Sequence, residues 1–164
     1  MKRIELDEAI WALHVPMLRL ALSILRHPQN AEDAVSQAVL TAYQKIGTLR
    51  NDDAFKPWMM QITARCCYTM LRRRKREVLS AEPVPLTTGV FVEPLQDTLL
   101  SRLQQLSAGQ AQVLTLYYYE GYSTEEIARI LHLPRTTVSM RMSRGRSKLK
   151  ALIEEEKREE TLHA

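Results

Sequence analysis

The stretch that most narrows what this chain can fold into is STEEIARILHLPRTTVSMR, from Ser123 to Arg141. Ser123 and Glu126 stand at capping-box spacing, so the helix they open has its first free amides satisfied locally. Ile127, Ala128 and Leu131 then fall on one helical face. His132 and Leu133 make a turn. Pro134 suits the first position of the next helix, where its fixed φ and missing N–H do no harm. That next helix turns Val138, Met142, Gly145, Leu149 and Leu152 inward. Its outer face carries Arg135, Thr136, Thr137, Ser139, Met140, Arg141 and Arg144, with Lys148 a turn further on. The pattern predicts two helices joined by a short turn, the second one polar at its start.

The same grammar extends over the rest of the chain. Leu6 to Arg26 is apolar at helical spacing, with Leu18, Leu22 and Leu25 on one face and Pro16 as a break or kink. A second helix is expected from Asn30 as its N-cap, with Val35, Val39, Ala42 and Ile46 inward and Gly47 as its stop. A third is expected after Asp52 or Asp53, with Pro57 in its first turn and Phe55, Trp58, Met59, Ile62 and Cys66 inward. Another face of that helix carries Gln61, Arg65, Tyr68, Arg72 and Arg73. Residues 77–96 then hold prolines and no helical period, which reads as a linker. Fully extended, roughly 20 residues reach about 70 Å. Beyond it Leu99, Leu103 and Leu106 pattern a short helix, and Ser107 with Gln110 caps another that buries Val113, Leu114 and Tyr117 before Gly121. With only 5 glycines in 164 residues and 6% aromatics, an all-α fold is expected: two small helical domains, 1–76 and 97–164, joined by a flexible linker.

Charge adds a function class. The net charge is +4, but its placement says more. Arg65 to Arg76 holds six basic residues and no acid, and so does Arg135 to Lys150. Two basic runs on two helices point to two polyanion contacts. A helix that begins with Arg, Thr, Ser and Met is suited to reading base edges in the major groove. Lys148 and Lys150 are suited to phosphates, which position without specifying. A positive stripe containing an aromatic ring, such as Gln61, Arg65, Tyr68 and Arg72, is suited to a single strand. Cys66 and Cys67 are adjacent and are read as buried structural residues. The four histidines are scattered, so no metal is expected. No phosphate loop or nucleophile elbow is present, so neither a cofactor nor an enzyme is expected. No signal peptide or apolar span is visible, and the cytoplasm is the expected compartment.

The segment LSAGQAQVLTLYYYEGYSTEEIARILHLPRTTVSMRMSRGRSKLK, Leu106 to Lys150, resembles region 4 of bacterial sigma factors of the extracytoplasmic-function (ECF) group. AEDAVSQAVLTAY and AFKPWMMQITARCCYTMLRRRKR resemble region 2. The resemblance implies RNA polymerase core and promoter DNA as partners, with an anti-sigma factor as the usual inhibitor. It implies that the −35 element is read as duplex by Arg135, Thr136, Thr137, Ser139, Met140, Arg141, Arg144 and Lys148. The −10 element would be held as melted strand by Gln61, Arg65, Tyr68, Arg72 and Arg73. Asp33, Ser36, Gln37 and Leu40 would contact the polymerase. Ser36-Gln37 replaces the family's Gln-Glu, Arg65 its frequent Asn, and Thr136 its glycine, so the promoter preference does not transfer. The acidic end after Glu154 reads as a solvated helical extension. The rival from another class is a stand-alone helix-turn-helix regulator that binds duplex DNA without polymerase.

Overall fold

The structure, a computed structural model, describes residues 3–78 and 98–163. Eight α-helices and two short 3-10 turns make up the secondary structure of these residues, with no strand among them. The first four helices are α1 (Arg3–Ala12), α2 (His14–Leu25), α3 (Pro28–Lys45) and α4 (Phe55–Val78). The last four are α5 (Thr98–Leu103), α6 (Ala108–Tyr118), α7 (Thr124–Leu131) and α8 (Arg135–Leu162).

The expected first helix is two, meeting at Leu13 with a bend of 47°. Pro16 lies in the first turn of α2, where no earlier carbonyl needs its missing amide. Leu18, Leu22 and Leu25 are buried as expected. α3 begins two residues before Asn30. Pro28 opens it, and His27 is the cap, its Nδ1 accepting from Asn30 N at 3.4 Å. Gly47 does not stop α3 through a left-handed turn, because the chain tightens there into a 3-10 turn, Ile46–Thr48. Asn51 caps the turn that leads into α4. α4 runs on through Glu77 to Val78, so the expected linker starts later than residue 77, and its remainder lies outside the described residues.

α2, α3 and α4 pack as a three-helix layer with α1 on its edge. α4 buries more than the expected stripe. Met59 and Ile62 are joined by Met60, Thr63, Ala64 and Cys67, because α7 covers a second side of the helix. Cys67, rather than Cys66, is therefore the fully buried thiol, and Cys66 is half-buried. Trp58 is also half-buried, tilted against Phe55 at 5.8 Å.

α6 is buried continuously from Ala111 to Leu116, since α2 lies on one side of it and α8 on another. Tyr117 escapes to the surface, contrary to expectation. Its ring carries the Arg146 guanidinium at 4.7 Å. Gly121 ends this region at φ +70°, a conformation that favours glycine. The Ser123–Glu126 capping box forms in both halves. At Ser107 only the hydroxyl half forms, and Gln110 Oε1 is left without a partner. Pro134 precedes α8 as its N-cap, one position earlier than expected. Inside α8, Gly145 allows a close approach to α6. A Cβ there would stand 2.9 Å from Leu114 Cδ1 and 3.3 Å from Gln110 Cβ.

Two predictions follow from this packing. Gly145→Val forces a branched side chain into a filled space and should cost about 1–3 kcal/mol of stability, read by urea denaturation. Burial, followed by the nearby Cys66, pushes the Cys67 thiol from 9.0 up to about 12. Three units lower its thiolate fraction roughly a thousandfold at neutral pH. Cys67 should therefore resist a disulfide reagent at pH 7.5 until denaturant is added. Folding favours the protonated thiol, so stability should fall once pH rises above about 8.5, where the unfolded thiol ionises.

Candidate nucleic-acid interface

The start of α8 presents a free polar surface. Thr136, Ser139, Arg144 and Lys148 are exposed, and Met140 is 47% exposed. Buried Val138, Met142 and Leu149 hold the helix from behind. Arg135 is exposed but not independent, since its Nη2 lies 2.8 Å from Glu125 Oε1, a carboxylate in the first turn of α7. Thr137 and Arg141 are half-buried. The Arg141 guanidinium lies over Gly109, at 3.1 Å from where a Cβ would stand. Arg141 therefore leans toward the rest of the molecule, while Thr136, Ser139, Met140 and Arg144 look outward.

On α3, Asp33, Ser36, Gln37 and Leu40 are all exposed along one open face. Leu40 is 57% exposed, an apolar residue on a free surface. Asp33 accepts from Gln29 at 3.3 Å within the helix.

The stripe on α4 is in a different state, because the second module sits on it. Tyr68 donates its hydroxyl to Gln112 Oε1 of α6 at 2.6 Å. Burial raises the Tyr68 phenol above its ordinary value, with Arg141 pulling the other way. Gln61 Nε2 donates to Arg129 O at 3.3 Å and lies 3.1 Å from His132 Nε2. Arg65 Nη2 is 2.8 Å from the same nitrogen. Both neighbouring nitrogens are donors, so His132 Nε2 stands as their shared acceptor. His132 itself adopts a left-handed conformation, φ 54°, where it ends α7. Further along α4, Arg72 and Arg73 are exposed, and Arg72 reaches Thr69 Oγ1 at 3.4 Å. With the Asn30 amide turned so that its oxygen faces Arg74, that oxygen accepts from both terminal nitrogens, at 2.6 and 2.9 Å.

The rest of the seam between the modules is polar at its rim. Glu120, whose side chain is only 3% exposed, meets Arg19 at 2.8 Å and Lys56 at 3.6 Å. Arg19 also stacks over Tyr119 at 4.6 Å, and Lys56 over Tyr122 at 5.6 Å. The Arg26 guanidinium donates to Gln104 O and Leu106 O beyond α5. A groove of about 350 Å³ opens between the modules, lined in part by Leu49, Pro57, Trp58, Gln61, Arg129 and Ile130. Sequence reasoning missed Arg19, Glu120, Gln112, Arg129 and His132, which form no local pattern and meet only across the seam. Among the described residues no three His, Cys, Asp or Glu side chains group as metal ligands. No single described helix is long and apolar enough to cross a membrane.

A basic helix-turn-helix module beside a helical module with a second basic stripe defines a two-part nucleic-acid-binding protein. Sequence comparison narrows that class. The family described as Sigma-70 region 2 matches residues 11–77, and that described as Sigma-70 region 4 matches residues 96–149. The ECF RNA polymerase sigma factor EcfG of Rhodopseudomonas palustris is 30% identical over 146 residues, covering 85% of this chain and 80% of that protein. The probable RNA polymerase sigma factor RfaY of Xanthomonas campestris is 29% identical over 140 residues. That match covers 78% of this chain but 35% of RfaY, so the chain spans about a third of that relative. The fold resembles that of the sigma factor RpoE of Bartonella quintana, solved with the anti-sigma factor NepR. The TM-score is 0.72 at 24% identity, over 92% of this chain and 97% of that one. This chain belongs to the ECF group of RNA polymerase sigma factors.

Proposed function

We propose that the chain is an alternative sigma factor that binds RNA polymerase core, directs it to promoter DNA and so permits initiation. The observation that carries this is the occurrence, in order on one chain, of a region 2 match over 11–77 and a region 4 match over 96–149. Residues 1–76 are the part that docks on polymerase and holds the −10 element. Residues 97–164 are the part that reads the −35 element, and the segment after α4, which ends at Val78, connects them. The open face of α3, with Asp33, Ser36, Gln37 and Leu40, is the polymerase contact, and its exposed leucine supports that role. Thr136, Ser139, Met140 and Arg144 are the residues of α8 free to meet base edges. Arg135, Thr137 and Arg141 take part from the flank, and Lys148 meets phosphate. Gln61, Arg65, Tyr68, Arg72 and Arg73 form the single-strand stripe, the ring stacking on a base and the cations tracking the backbone.

The chain performs no catalysis of its own and needs no cofactor. It works in the cytoplasm, where polymerase and chromosome are, under an anti-sigma factor of the kind seen bound to the Bartonella quintana protein. A stand-alone regulator would leave the region 2 match and the open α3 face without a role.

The test is run-off transcription by purified core on fragmented DNA from the source genome, with and without this protein. Defined transcripts that depend on the protein are expected. Their absence, together with tight duplex binding in the absence of core, would overturn the reading. Within it, Arg144→Ala should cost about 1–3 kcal/mol of promoter binding and relax sequence preference at the base it meets. Lys148→Ala should weaken binding evenly across sequences and lower the salt slope by about 1. Competition binding over a panel of −35 variants at several salt concentrations separates the two effects.

A further inference from the structure

Resting on the assignment of α8 to the −35 duplex, we propose that Glu125 of α7 is a positioning residue for base readout. It holds the Arg135 guanidinium toward a guanine edge and away from the phosphates, so that one G·C pair is read at the flank of the α8 face. The three arginines of that face stand differently. Arg144 looks outward, and Arg141 leans over Gly109. Arg135, the first residue of α8, is joined to an acid. Its Nη2 lies 2.8 Å from Glu125 Oε1, with the two side chains 67% and 57% exposed. The run Arg135 to Lys150 holds no acid of its own. The carboxylate is therefore set against the basic surface by a different helix.

Stability does not account for this pair. Ion pairs so open to water contribute little to folding. Nor does the helix end depend on this particular acid. Glu126 closes the capping box with Ser123 and already places a carboxylate in the first turn of α7. Against DNA the pair has consequences. A carboxylate near the phosphate chain is repelled, which lowers affinity on every sequence. The same repulsion denies Arg135 a phosphate oxygen as partner, since the pair cannot approach one without bringing Glu125 along. A guanidinium holds its N–H donors in one rigid plane. The contact to Glu125 fixes that plane and leaves N–H groups for the O6 and N7 of guanine, the commonest specific contact of arginine with a base. A lone arginine on a flexible stem divides itself between base and phosphate. Glu125 thus lowers affinity and sharpens discrimination.

A double-mutant cycle on the full chain with polymerase core tests this, by competition binding over duplexes carrying every base pair at each −35 position. Arg135→Ala should lower the preference for G·C at one position about tenfold. Glu125→Gln should lower it at that same position by about as much. It should also raise affinity on all sequences and steepen the salt slope by about 1, as Arg135 turns to a phosphate. Arg135→Lys keeps the charge and loses the planar fork, so it should lose the preference and keep the overall affinity. In the Arg135→Ala background, Glu125→Gln should leave the preference unchanged. Preferences at the other −35 positions, read in the same panel, report that each variant is folded. An even change in affinity with every preference intact would make Glu125 a surface charge only and overturn the proposal. So would an Arg135→Ala chain that keeps all its preferences. A loss at a different position, or a further loss in the Arg135→Ala background, would make Glu125 an independent reader and overturn it as well. Run-off transcription by the wild type decides the sigma-factor reading separately. Where no core-dependent transcript forms, the cycle is run on duplexes selected from a randomised pool by the full chain alone, and the same outcomes decide the role of Glu125.

Discussion

The constraint on which the rest of the structure depends is the burial of α6. Six consecutive residues, Ala111 to Leu116, are covered. A helix apolar around most of its circumference needs neighbours on more than one side. α8 and α5 supply part of the cover from within the second module, and α2 of the first module supplies the remainder. The helix-turn-helix is thus seated on a scaffold that is only complete when the first module is present. One continuous apolar core runs from Leu6 through α4 and α6 to Leu149.

Around that shared core the seam is lined with polar groups whose partners stand across it. Burying Glu120 costs desolvation, which Arg19 at 2.8 Å offsets. Such a pair adds little net stability compared with apolar contact, but it selects one arrangement over others. Arg26 acts similarly. It accepts a left-handed conformation, φ 62°, that is unusual away from glycine. Its backbone N–H closes α2 on Leu22 O. Its side chain donates to the Gln104 and Leu106 carbonyls just beyond α5. An apolar interior with a directional polar rim is the physical basis for two modules that share one preferred geometry.

The local elements were readable because their causes are local. The Ser123–Glu126 box, the stripe of Val138, Met142 and Leu149, and the left-handed Gly121 each depend on residues a few positions apart. Boundaries were read less well where the deciding group was a less usual one. His27 took the capping role expected of Asn30 because Pro28 could open the helix. Gly47 was read as a stop because glycine usually is one, whereas the chain there turned by a 3-10 step that asks nothing of glycine. The helix-turn-helix surface was legible by the same logic, since the inward period of α8 fixes which residues are left outside. Arg135 and Arg141 departed from it only because Glu125 and Gly109 lie within reach in space.

By itself the sequence determined the helices, their caps, the inward face of each and the two basic runs, since all of these follow from spacing along the chain. It also carried the region 2 and region 4 patterns that assign the family. The tertiary structure alone decided which face of α4 is free and which is covered. Residues 61, 65 and 68 read as a solvated stripe in sequence because their side chains are polar and periodic. Their partners Gln112, Arg129 and His132 are 44 to 71 positions away, and no local pattern encodes a contact at that separation. It is made only when the burial of α6 brings the two modules together.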